Sequence, residues 1–172
     1  MKKLYVPLIL IVILFNSCSI KFNGASIPAE MKTVNIIFFE NNAPLVVPNM
    51  SSKFTENLRN RIRNQTSLNM TTNEAHAIFS GTITNYDIRP TTMQDANTRG
   101  VTAGGTNRMS ISVSVKYTNN LNQKMSFEEN FERHLDFPTA GQSFQSQEQR
   151  LIDQVLDLLT EDIFNRAFAN WN

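Results

Sequence analysis

One ten-residue stretch restricts the fold of this chain more than any other: RMSISVSVKY, residues 108–117. Met109, Ile111, Val113, Val115 and Tyr117 alternate with Arg108, Ser110, Ser112, Ser114 and Lys116. A helix would scatter these side chains around its axis, whereas a strand sends successive side chains to opposite faces. The stretch therefore reads as a strand with one dry and one wet face, as in an antiparallel sheet covered on one side only.

The flanking segments supply partners for it. Asn119-Asn120 marks a turn within residues 118–123, and a second strand follows, with Met125, Phe127, Phe131, Leu135 and Phe137 in one phase. Glu129 and Arg133 interrupt that apolar phase, which leaves two readings: they mark where the inward face runs out, or they pair with each other. Upstream, AHAIFSGTITNYDI, residues 75–88, is a long strand with Gly81 placed for a bulge and Pro90 placed to end it. Residues 91–106 are small and polar, too long a connection for a plain hairpin. TVNIIFFE, residues 33–40, is apolar on both faces, which predicts a central or doubly covered strand.

Two segments carry the helical period. From Met50 to Thr66, Phe54, Leu58 and Ile62 recur every fourth residue, and Asn49, Ser51 or Ser52 is positioned to cap the start. From Gln147 to Trp171 a wide stripe runs through Leu151, Ile152, Val155, Leu158, Leu159, Ile163, Phe164, Ala167, Phe168 and Trp171. Ser146 with Gln149 has the spacing of a capping box. The polar side of this helix is acidic (Asp153, Asp157, Glu161, Asp162), which favours core packing over a membrane surface. The order β-α-β-β-β-α predicts an α+β two-layer sandwich, with two helices packed on one face of a four-stranded mixed sheet. The first β-α-β unit is expected to be right-handed if its strands are parallel.

The N-terminus specifies a compartment. Lys2 and Lys3 precede an apolar run from Leu4 to Phe15, broken by Pro7, and Asn16-Ser17-Cys18 follows. The run is too short for a spanning helix, which takes roughly 20 apolar residues, and has the order of a secretory signal. The chain contains one cysteine, so no internal disulfide forms. Ser17-Cys18 resembles a bacterial lipobox, with Phe15 standing where leucine is usual. The resemblance implies that Cys18 is diacylglycerol-modified on sulfur, acylated on its new amine, and made the first residue of the mature protein. The expected division is residues 1–17 signal peptide, 18–32 lipid-anchored tether and 33–172 one domain. No aspartate follows the cysteine and no acidic run is present, so the sorting rules of such lipoproteins imply the periplasmic face of the outer membrane.

Charge and composition exclude several functions. Sixteen Lys and Arg stand against 15 Asp and Glu, and two of those lysines lie in the expected signal. So neutral a body does not bind nucleic acid through bulk charge. His76 and His134 fall in no nucleophile or zinc spacing, and Gly104-Gly105 lacks a phosphate-loop lysine. No catalytic residue, metal or cofactor is expected. Arg89, Arg99 and Arg108 bracket the long connection, and Lys116 shares a strand face with Arg108.

Taken together, the lipobox, SIPAEMKTVNIIFFENNAPLVVPNMSSKFTENLRNRI, AIFSGTITNYDIRP, RMSISVSVKY and the terminal IFNRAFANW resemble the LptE family of lipopolysaccharide-assembly lipoproteins in its Bacteroidetes form. The similarity spans roughly residues 18–171. It implies the same two-layer fold and a non-enzymatic role. It also implies an outer-membrane β-barrel partner, LptD, which the domain plugs and helps to assemble, and direct contact with lipopolysaccharide. Arg89, Arg99, Arg108 and Lys116 become candidate contacts to that lipid's phosphates, since guanidinium groups bind such oxyanions in bidentate fashion. The rival is a pilotin-like adaptor lipoprotein serving another outer-membrane multimer.

Overall fold

The computed structural model describes residues 27–91, 105–138 and 143–169. The elements are β1 (Thr33–Ile36), β2 (Glu40–Asn41), α1 (Met50–Gln65), β3 (Asn69–Met70), β4 (Ala77–Thr91), β5 (Thr106–Asn119), β6 (Phe127–Pro138) and α2 (Phe144–Phe168). They form one sheet in the order β3-β1-β4-β5-β6, with β2 also paired to β4. The β1–β3, β1–β4 and β2–β4 pairs are parallel, whereas β4–β5 and β5–β6 are antiparallel. Both helices cover one face. The α+β two-layer class holds, with the two-residue strands β2 and β3 added to the expected four.

The alternating strand dictates the layering. Met109, Ile111, Val113, Val115 and Tyr117 are all buried, and register brings Tyr86, Ile83 and Phe79 of β4 opposite Ile111, Val113 and Tyr117. Onto this surface α2 lays Ile152, Val155, Leu156, Leu159, Ile163 and Phe168, and α1 lays Phe54, Leu58 and Ile62, all buried. Phe79, Tyr117 and Phe168 meet with centroids 4.8–6.0 Å apart. Fully burying one such side chain stabilises by about 1.5–3 kcal/mol, which makes this face the main source of stability.

Several boundaries differ from the sequence reading. Residues 33–40 do not form one central, doubly covered strand: β1 stops at Ile36, Ile37 and Phe38 are 48% and 50% exposed, and Phe39 turns fully inward. Its backbone N–H donates to the buried Thr55 Oγ1 at 3.1 Å, in place of a ladder bond. The ring lies against Gly81, where a Cβ would stand 2.0 Å from the Ser114 carbonyl oxygen and 2.8 Å from Phe39 Cε1. Gly81, at φ +156°, stays in register with Val115, and the slip in pairing falls instead between Ile83 and Asn85. Pro90 does not end β4. It pairs with Asn107 where β4 has lost its neighbour on the β1–β2 side, an edge position that tolerates a missing N–H.

The helix ends also shift. α1 is capped at Asn49 in the left-handed region, with no side-chain cap bond. α2 begins three residues earlier than the periodicity predicts, because Ser143 rather than Ser146 is its cap, accepting from Ser146 N–H at 3.3 Å, and it ends at Phe168, where the Ala169 N–H donates to the Asn165 carbonyl. Leu158 is exposed and Leu156 takes its place in the core; Trp171 lies outside the described residues. Glu129 and Arg133 of β6 neither end the inward face nor pair with each other. Both reach to α2: Arg133 Nη2 donates to Asp162 Oδ1 at 2.6 Å, and Arg166 Nε donates to Glu129 Oε1 at 3.0 Å. Met125, expected in the strand, sits exposed in the 3₁₀ turn Gln123–Met125.

Candidate functional site

The wet face of the sheet has no second layer over it among the described residues. Ser110, Ser112, Ser114 and Lys116 of β5 lie between Asp87, Asn85, Thr82 and Ser80 of β4 and His134, Glu132, Asn130 and Glu128 of β6. Period-two chemistry fixes this: with every other residue of β5 committed to the core, the serines have only this side to face.

At the end of the sheet beside the 92–104 connection, Arg89, Arg108 and Asp136 form a row across three strands. Two guanidinium groups directly opposite would repel. Each instead has a carboxylate: Arg108 Nε and Nη2 bind Asp136 Oδ1 and Oδ2 at 2.7 and 2.9 Å, and Arg89 is ion-paired with Asp87. The Arg108 guanidinium holds the Asp136 carboxyl below its ordinary range and is itself raised by that hydrogen bond.

Lys116 shares the face but not the neighbourhood. It lies eight residues along β5 from Arg108, roughly 27 Å at strand rise, and stands opposite Glu128. Arg99 lies outside the described residues. The structure thus brings Arg89 and Arg108 together and separates Lys116 from them. Asp87, Glu128, Glu132 and Asp136 outnumber Arg89, Arg108 and Lys116 by one, so the face is polar and carries charges of both signs. The β5–β6 pairing did not follow from the turn placed at Asn119-Asn120: the chain reverses about Asn122, and that register puts Arg108 against Asp136 and Lys116 against Glu128. The Arg89–Asp87 pair is two residues apart on one strand face.

Neither histidine has the surroundings of a catalytic group. His76 Nδ1 accepts from the Lys32 backbone N–H at 3.0 Å, and His134 stands opposite Ser110 on the wet face. Tyr86 donates to Glu148 Oε1 at 2.7 Å, and burial with that bond pushes its hydroxyl well above its usual range. Burial pushes Tyr117 up to about 12. Both tyrosines are therefore neutral packing groups. Among the described residues, no three His, Cys, Asp or Glu side chains are grouped to hold a metal, and no helix is long and apolar enough to cross a membrane.

Two features escaped the sequence reading. Ile37, Phe38, Leu45 and Val46 are exposed apolar residues around the β1–β2 break. Beside the start of the described chain, where β5 ends, an apolar cleft of about 560 Å³ opens. Only long-range packing creates either.

A family model described as LptE, lipopolysaccharide-assembly, matches residues 31–167. Among proteins of curated function, none matches. Solved structures similar in fold include a minor lipoprotein from Acinetobacter baumannii (12% identity, TM-score 0.50, covering 79% of this chain and 91% of that one). Lipoprotein B from Nitrosomonas europaea is similar at 14% identity and TM-score 0.50, over 81% of this chain and 82% of that one.

Proposed function

We propose, from the premise that this chain belongs to the LptE family of lipopolysaccharide-assembly lipoproteins, that it is a non-enzymatic plug for an LptD-like outer-membrane β-barrel. In this reading the domain is anchored through Cys18 on the periplasmic side of the outer membrane and inserts into the barrel lumen. There it supports barrel assembly and the passage of lipopolysaccharide to the outer leaflet.

The observation that carries the proposal is the uncovered polar sheet face with charges of both signs. Barrel lumens are polar and watered. Serines, threonines and charged side chains of both signs stay hydrated in such a space, whereas burying them against an apolar surface would be costly. The test is a detergent pull-down through a C-terminal tag. The expected result is an approximately one-to-one complex with a large β-barrel; recovery of a secretin ring instead would overturn it in favour of the pilotin-like adaptor.

Arg89 and Arg108 are the proposed lipid contacts, with Arg99 and, more distantly, Lys116 completing the set. Exposed arginine–carboxylate pairs are weak because water screens them, so a lipid phosphate can displace the carboxylate readily. Replacing Arg89, Arg99 and Arg108 by serine should weaken binding of purified protein to lipopolysaccharide. Unchanged affinity would remove this part of the proposal and leave the plug intact.

A further inference from the structure

The apolar cleft lies at the end of the sheet remote from the 92–104 connection. Its floor is Met31, Tyr117, Ala167 and Phe168, and its rim carries Ile27, Leu121 and Met125. Leu121 and Met125 are 47% and 43% exposed, although each belongs to an ordered turn. Asn119 builds that turn: its Oδ1 accepts from the Leu121 and Asn122 N–H groups at 3.0 and 2.9 Å, which fixes Leu121 at the rim. About 560 Å³ of cleft with apolar walls falls in the range of sites that bury a small apolar ligand. The methionines on floor and rim add side chains that adapt to a flexible guest.

The position of the cleft narrows the guest. Ile27 lines it, and Cys18 precedes Ile27 by nine residues, a reach of about 30 Å at full extension. This argument rests on the proposed lipid anchor, which puts this end of the domain next to the bilayer. The rim also carries the exposed Glu30, whose carboxylate complements an ammonium headgroup. We propose that the cleft receives one fatty acyl chain of an ammonium-bearing phospholipid from the leaflet in which the protein is anchored. The domain would then touch the membrane at a second point, and the tether's freedom would become a defined orientation.

The test uses the full-length chain reconstituted in phosphatidylethanolamine vesicles that contain a trace of the same lipid with a diazirine in its acyl chain. After irradiation, label is expected on the peptide spanning Leu121–Met125 and on Phe168. Leu121→Glu with Met125→Glu, both at exposed positions, should cut that labelling by about tenfold, the least forfeited by leaving one apolar side chain unburied. Labelling of the tether serves as the internal control. Label confined to the tether, label undiminished in the double variant, or Leu121 cross-linked to a second copy would each overturn the proposal. A Cys18→Ala chain in detergent with the same photolipid separates the two ideas. Persistent cleft labelling supports the cleft whatever the anchor, and its loss counts against it. The mass of the N-terminal peptide judges the anchor alone.

Discussion

At one edge of the sheet β6 runs for 12 residues with β5 on one side and, among the described residues, no strand on the other, while at the opposite edge β3 covers β1 for two residues and then stops. Both edges present backbone groups that invite another chain to pair. At β1 the invitation is withdrawn by hydrogen bonds from α1: Arg59 Nη2 donates to the Ile36 carbonyl at 3.0 Å, and the Phe39 N–H is taken by Thr55. At β6 it is withdrawn by charge, with Glu129 and Arg133 placed in the inward phase and tied to Arg166 and Asp162 on α2. The first guard is partly buried and belongs to the core; the second is exposed and belongs to the surface. Removing the first should therefore cost stability, and removing the second should cost solubility.

The sharpest way to break the β1 guard is Gly81→Val. It drives a side chain into the Ser114 carbonyl and displaces Phe39, at a cost of roughly 3 kcal/mol or more; urea denaturation should show a lowered midpoint or no folded state. Thr55→Val keeps the shape but leaves the buried Phe39 N–H unpaired, and about 1–3 kcal/mol should be lost in the same assay. The β6 guard should respond differently. Glu129→Val with Arg133→Leu should leave the unfolding midpoint within about 1 kcal/mol of the parent, while size-exclusion chromatography shows concentration-dependent association. A double variant that stays monomeric would show that the charges do not protect this edge.

The smallest effect belongs to pH. Because the folded-state pKa of Asp136 is lowered, its pairing with Arg108 contributes stability above the ordinary carboxylate pKa. That contribution is lost as pH falls through the lowered folded value. Compared with Asp136→Asn, the parent should be slightly more stable at neutral pH, and the difference should vanish in acid. A difference that persisted there would assign the effect to packing.

The asymmetry between the edges also explains what the sequence could tell. β5 is legible because its alternation is local and uninterrupted, but the β5–β6 register is not, because the chain reverses about Asn122 rather than at Asn119-Asn120. The break between β1 and β2 is not legible: Ile36, Ile37, Phe38 and Phe39 look alike in sequence. Gly81 and Thr55, distant along the chain, decide which of them turns inward. Glu129 and Arg133 were visible as misfits, but their partners lie on α2, and no local pattern points there. For the candidate lipid contacts, the shared wet face was readable from parity. The wide separation of Lys116 from Arg89 and the carboxylates that neutralise the arginines needed the three strands in register.

One remaining feature bears on how such a chain can change over generations. The ends of the 92–104 connection are pinned by the Thr91–Thr106 pair, where Thr91 Oγ1 donates to the Thr106 carbonyl at 2.8 Å. Closing a chain between fixed ends depends only weakly on its length, with each doubling costing about 0.6 kcal/mol. Insertions there are thus almost free of charge to the fold, and a lineage could rewrite this tip while the rest of the domain stands still. The same tolerance recommends it as the place to graft a label or a reporter domain.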